Sequence, residues 1–98
     1  MIAVDLSDTP VRELNGRLHA LPPDTNERHW RILNPKGRHA LAVGLSAPIE
    51  VEIDGHAGYY CAGMLKHADV EIRGNCGWSV GEDMMSGSIV VRGNASAA

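Results

Sequence analysis

A chain of 98 residues makes one small domain at most and buries a limited share of its surface. Nine basic against twelve acidic residues, net −3, provide no electrostatic footprint for nucleic acid or an anionic membrane. No apolar run approaches the length of a membrane span, and no basic region precedes an apolar core at the N-terminus, so the cytoplasm is the expected compartment. There Cys61 and Cys76 are expected as reduced, buried thiols.

In chain order, Ile2–Leu6 alternates and predicts a short strand. Thr9 and Pro10 suit a helix cap and a first helical position, and Val11, Leu14, Leu18 and Leu21 follow at helical spacing until Pro22-Pro23. The Asn15-Gly16 pair weakens that helix, by about 1 kcal/mol at the glycine relative to alanine. His29–Leu33 predicts a strand, Asn34–Gly37 a turn, and Arg38–Val43 a further strand stopped by Gly44. Residues 1–48 thus make a small αβ cap ahead of residues 49–98.

Residues 49–98 repeat themselves. Gly55, Gly74 and Gly93 recur at a spacing of nineteen, with Val51, Val70 and Ile89 in one register and Ile53, Ile72 and Val91 in another. Each copy opens with a short alternating run that meets a glycine, where a corner with positive φ is expected. Nineteen residues span roughly 60 Å fully extended, enough for one turn with two or three straight sides. A parallel β-helix fits this pattern better than a meander of hairpins, whose turns need no fixed spacing. The glycines of the pattern are Gly55, Gly58, Gly74, Gly77, Gly81, Gly87 and Gly93; in the first copy Ala62 and Ala68 stand where the second has Gly81 and Gly87, which predicts looser corners there. The third copy stops five residues after Gly93, as if cut in mid-turn, so the chain reads as a fragment of a longer one.

The run Gly74–Gly93, with glycine, aromatic, glycine, methionine and glycine in order, resembles the GXGXG repeat of the glutamate synthase C-terminal domain, and also the C subunit of formylmethanofuran dehydrogenase. The N-terminal stretches DTPVRELNGRLHAL and WRILNPKGRHALAVGL resemble the stand-alone GXGXG subunits of glutamate-synthase-like complexes, such as the B subunit of N-methylglutamate synthase. The resemblance implies a right-handed parallel β-helix of GXGXG repeats, period 19, with the αβ cap at its start. It implies a non-catalytic assembly role beside a glutamine amidotransferase-like subunit and an FMN-containing synthase-like subunit. The catalytic cysteine, the FMN and any iron–sulfur cluster would lie in those partners.

The residues themselves suggest no catalytic, cofactor or metal site. His56, Cys61, His67 and Cys76 match no zinc spacing. Asp54, Glu71, Glu82 and Asp83 are carboxylates that acid–base chemistry would need, and Glu52 aligns with Glu71 about 5 Å away on the outward side of the strands. A β-helix carbohydrate enzyme would use such acids; a solvated outer face explains them too, with Arg73 and Arg92 alongside. The glycine corners GHAG and GNCG feed no helix, unlike a phosphate loop. Tyr59 and Trp78 share a register and are expected to stack, and Met64, Met84 and Met85 read as apolar filler.

Overall fold

Five short stretches of alternating apolar residues become five strands. In the computed structural model, which describes residues 1–77, 80–81, 84 and 86–93, these are β1 (Ile2–Asp5), β2 (His29–Leu33), β3 (Glu50–Asp54), β4 (Asp69–Ile72) and β5 (Ser88–Val91). One helix, α1 (Val11–His19), lies between β1 and β2. The strands form a single all-parallel sheet in chain order, each beside the one before it. Ile2 faces Trp30, Trp30 faces Val51, Val51 faces Val70, and Val70 faces Ile89. A second row runs Val4, Ile32, Ile53, Ile72, Val91. The strand period of two sends these two rows to one side of the sheet, where every member but Ile2, Ile89 and Val91 is buried.

The expected right-handed parallel β-helix is not what forms. The fold is an α/β-like domain: one five-stranded parallel sheet with one helix among the described residues. Among the described residues each nineteen-residue stretch contributes one strand to this one sheet, and the described residues between the strands lie largely in turns and bends. The step of nineteen holds across Val51, Val70 and Ile89, and is longer between Ile2, Trp30 and Val51, so the recurrence sets strand register without a coil of several sheets.

The segments between strands form the opposite wall of the core. Leu41, Leu45, Ala57, Cys61, Ala62 and Leu65 are all at most 5% exposed and close over the sheet. The expected strand at 38–43 belongs to this wall and is no strand. Ala40, Ala42 and Gly44 have φ of 55°, 55° and 72°, so every second residue is left-handed. Tyr60, Ala62 and Met64 repeat the pattern at 59°, 56° and 55°. Left-handed turns cost an alanine about 1 kcal/mol each, and bonds between neighbouring segments offset that cost. Ala40 N–H donates to the Tyr59 carbonyl, Gly44 N–H to Gly63, Ala62 N–H to Leu41 and Lys66 N–H to Leu45, all at 2.8 Å. Ala62 therefore adopts the hand of Gly81, whose φ is 66°. Of the two corners predicted to be looser, that at Ala62 keeps the conformation of its glycine counterpart, whereas Ala68 does not share the positive φ of Gly87, 100°.

Helix α1 begins one residue later than expected. Pro10, at φ −69° and ψ 153°, is its cap, and no side chain caps it; the helix stops at His19, short of Pro22. Glu13 in the first turn and Arg17 and His19 in the last suit its dipole. Leu14 and Leu18 are fully buried, with Val11 and Leu21 packed at the edge of the same core. Asn15, which weakens the helix by propensity, is what fastens it. Its Nδ2 donates to the Ala40 carbonyl at 2.8 Å, and its Oδ1 accepts the Ala42 N–H at 2.9 Å. Arg17 lies over the Trp30 ring, 5.1 Å from its centre.

Replacing Asn15 with alanine leaves the Ala40 carbonyl and Ala42 N–H without these partners. We expect about 2 kcal/mol of lost stability in urea denaturation. A neutral result would mean that α1 is held by its leucines alone.

Candidate functional site

The seven glycines of the repeat divide by physical cause. Gly55, Gly81 and Gly87 have φ of 147°, 66° and 100°, in the region glycine favours. Gly58, Gly74, Gly77 and Gly93 do not have the positive φ expected of corners. They are glycines because backbone lies directly against them. A Cβ on Gly74 would stand 2.6 Å from the carbonyl carbon and oxygen of Gly55, and one on Gly93 would stand 2.6 Å from those of Gly74. Gly77 meets Gly58 in the same way at 2.9 and 3.0 Å. On Gly58 a Cβ would run into His39 and the Gly37 carbonyl, and on Gly87 into the Ala68 carbonyl.

Histidines and a serine hold neighbouring turns together beside these glycines. His39 Nδ1 accepts the Tyr59 N–H at 2.8 Å, and its ring stacks on the Tyr59 ring at 4.6 Å and 7°. His56 Nδ1 accepts the Asn75 N–H at 2.9 Å, and the His67 N–H donates to Ser86 Oγ at 3.0 Å. His56 and His67 are thus engaged with backbone or serine, while Cys61 and Cys76 are buried free thiols. The four do not converge, and among the described residues no three His, Cys, Asp or Glu side chains gather as a metal would require. Burial pushes the Cys61 thiol up to about 12, with the neighbouring Cys76 adding to it, and burial raises Cys76 as well. The expected Tyr59–Trp78 stack, Glu82, Asp83 and Met85 lie outside the described residues, as do Asn94–Ala98; Tyr59 stacks on His39 instead.

The outer face of the sheet carries the charge. Glu52 lies opposite Glu71, as the sequence pattern predicts. Arg73 spans both, at 3.5 Å from Glu52 Oε1 and 2.9 Å from Glu71 Oε1, and Arg92 reaches Glu71 Oε2 at 3.4 Å. Asp54 pairs with Arg31 at 3.0 Å, Glu50 with His29 at 3.3 Å, and Asp69 accepts the Ser88 hydroxyl at 2.7 Å. A shallow groove of about 210 Å³ runs between these rows, lined by Glu50, Glu52, Asp69, Glu71, Ser88 and Val90 among others. The Arg73 hydrogen bond, with help from Arg92, holds the Glu71 carboxyl below its ordinary value. A general acid at neutral pH needs the opposite shift. Arg73 is in turn raised, chiefly by Glu71.

No family model matches the chain, and no solved structure matches it. Over 64 residues it is 45% identical to Protein GlxC of Rhizobium meliloti (strain 1021). That stretch takes in 65% of this chain and 28% of that protein, so the chain matches well under a third of the relative. No helix among the described residues is long and apolar enough to cross a membrane.

Three measurements test this arrangement. Gly74→Ala should cost about 2–3 kcal/mol, because the clash is with backbone and must be relieved by separating two turns. Gly16→Ala is the control: nothing lies within 4 Å of that site, and the helix should gain about 0.5–1 kcal/mol. Equal melting of the two variants would contradict the close approach. Glu71 has a folded value below its unfolded one. Its contribution to stability is therefore complete above the ordinary glutamate value of 4.5 and fades as pH falls through the lower folded value. Carboxyl NMR titration should find Glu71 titrating low, and in Arg73→Gln closer to the ordinary value. Finally, neither thiol should react with a disulfide reagent at pH 8 in the native chain, and both should react in urea; prompt native labelling would show that the core at Cys61 is open.

Proposed function

We propose that this chain is a non-catalytic structural and assembly component of a glutamate-synthase-like complex, N-methylglutamate synthase being the specific candidate. A glutamine amidotransferase-like subunit and an FMN-containing synthase-like subunit would carry the chemistry, with FMN and any iron–sulfur cluster held there. The observation that carries this reading is the commitment of the outer face. The aligned acids Glu52 and Glu71 are clasped by one arginine, and Asp54, Glu50 and Asp69 each have a partner. Such a face presents a fixed charge pattern for a neighbour to read. It does not hold a carboxylate poised to donate a proton, which weighs against a carbohydrate-cleaving reading. The repeat that resembles the GXGXG stretch also supports it: Gly58, Gly74, Gly77, Gly87 and Gly93 sit where backbone segments touch, as a closely stacked scaffold requires.

Purification of the tagged chain from its source cells should recover an amidotransferase-like and a flavin-binding synthase-like protein in amounts equal to its own. Recovery of the chain without either protein would overturn the assignment. So would a turnover by the chain alone that Glu52→Gln and Glu71→Gln abolish.

A further inference from the structure

Gly16 is a glycine that the fold does not require. Among the described residues it is the one glycine with neither a positive φ nor any atom within 4 Å of where a Cβ would stand. In the interior of α1 it weakens the helix. What sets it apart is its neighbour: Asn15 is the one asparagine of the chain that a glycine follows. With no side chain to obstruct it, a glycine nitrogen is the backbone nitrogen best able to attack the amide carbon of a preceding asparagine. Two features of the folded chain oppose that attack. The helix directs the Gly16 N–H at the carbonyl four residues earlier and fixes the backbone between the two residues. The Asn15 amide is also held from both ends, its Nδ2 donating to the Ala40 carbonyl at 2.8 Å and its Oδ1 accepting the Ala42 N–H at 2.9 Å. Asn15 is half-buried and Gly16 exposed, so water already reaches the outer side of the pair.

We propose that Asn15 is a deamidation site gated by its own hydrogen bonds, and that its conversion releases α1 in one direction only. When α1 undocks, the Gly16 nitrogen forms a bond to Asn15 Cγ. The Cγ–Nδ2 bond breaks, and the amide leaves as ammonia with the proton of the Gly16 N–H. Water then opens the cyclic imide. Its oxygen bonds to one of the two imide carbonyl carbons, the bond from that carbon to the Gly16 nitrogen breaks, and the nitrogen regains a proton. Opening at Cγ leaves aspartate, and opening at the main-chain carbonyl leaves isoaspartate. One water is consumed and one ammonia released, with no oxidation or reduction. Neither product remakes the attachment of α1. Aspartate keeps an oxygen for the Ala42 N–H but sets another against the Ala40 carbonyl, where two acceptors meet with no proton between them. Isoaspartate carries the main chain through the side-chain carbon, which breaks the helical spacing between the buried Leu14 and Leu18. Because ammonia is lost, each opening that ends in conversion leaves a permanent mark on the chain. The reaction lies within the chain itself and holds whether or not it assembles with other subunits.

The test is incubation of the purified full chain in mildly alkaline buffer, with and without denaturing urea, following each asparagine by peptide mass mapping. In urea Asn15 should convert first, ahead of Asn26, Asn34, Asn75 and Asn94. In the folded chain its conversion should be slower by about tenfold or more, the factor by which docking of α1 outweighs opening. In urea, Gly16→Ala should slow Asn15 to the pace of the other asparagines, which assigns the attack to the glycine nitrogen. The space around Gly16 is open, so this variant should fold as the parent does. The converted chain, separated by its added negative charge, should unfold at a lower urea concentration than the parent, and so should Asn15→Asp. Equal rates with and without urea, an Asn15 that outlasts the other asparagines in urea, undiminished conversion in Gly16→Ala, or a converted chain as resistant to urea as the parent would each overturn the proposal.

Discussion

Everything in this domain depends on how closely one backbone segment lies on the next. Strands in a parallel sheet sit a little under 5 Å apart whatever their side chains. Turns between strands usually have no such constraint. Here they do: the turn after β4 lies against the turn after β3, with carbonyl groups of Gly55 and Gly58 pressed against Gly74 and Gly77. Contact of this kind excludes a Cβ, so the glycines are a consequence of the stacking. The same contact explains why alanines and a tyrosine accept left-handed backbone at 40, 42, 60 and 62. At Ala40 and Ala62 the strain is offset by direct bonds to the neighbouring segment, and at Ala42 by the Asn15 side chain.

A rigid stack has consequences on its outer face. Residues in one register are brought together whether or not their charges agree, and Glu52 and Glu71 are such a pair. The arginines Arg73 and Arg92 resolve the conflict. Arg73 bridges the two acids, and Arg92 takes up the remaining oxygen of Glu71. These contacts are partly solvated and individually weak. Their effect is on pattern: an acidic pair that chemistry could use becomes a neutralised, ordered surface. At β5 the acid of that row is replaced by Val90, and the surface changes from charged to apolar there.

Asn15 shows why local propensity misleads in a small stack. An asparagine followed by glycine weakens a helix, and the sequence alone marks it as a defect. The wall segment beside α1, with alternating backbone hand, presents an N–H and a carbonyl two residues apart. An amide side chain is the group that can satisfy both. No signal in the sequence points to this pairing, because the acceptor and donor are backbone groups twenty-five and twenty-seven positions away.

The sequence by itself determined the positions of β1 to β5, the leucine stripe of α1, and which residues face one another across β3, β4 and β5. Alternation of β-branched residues and a nineteen-residue recurrence are local facts, and register comes directly from them. Only the tertiary structure decided what lies between the strands. Residues 38–43 alternate as a strand does, yet bend at left-handed Ala40 and Ala42, because their hydrogen-bond partners are the turns next to them and not a strand ladder. For the same reason the recurrence produced one parallel sheet with a wall of turns and not a coil of several sheets. Periodicity fixes which residues come together, but backbone conformation is settled by the partners available once they have.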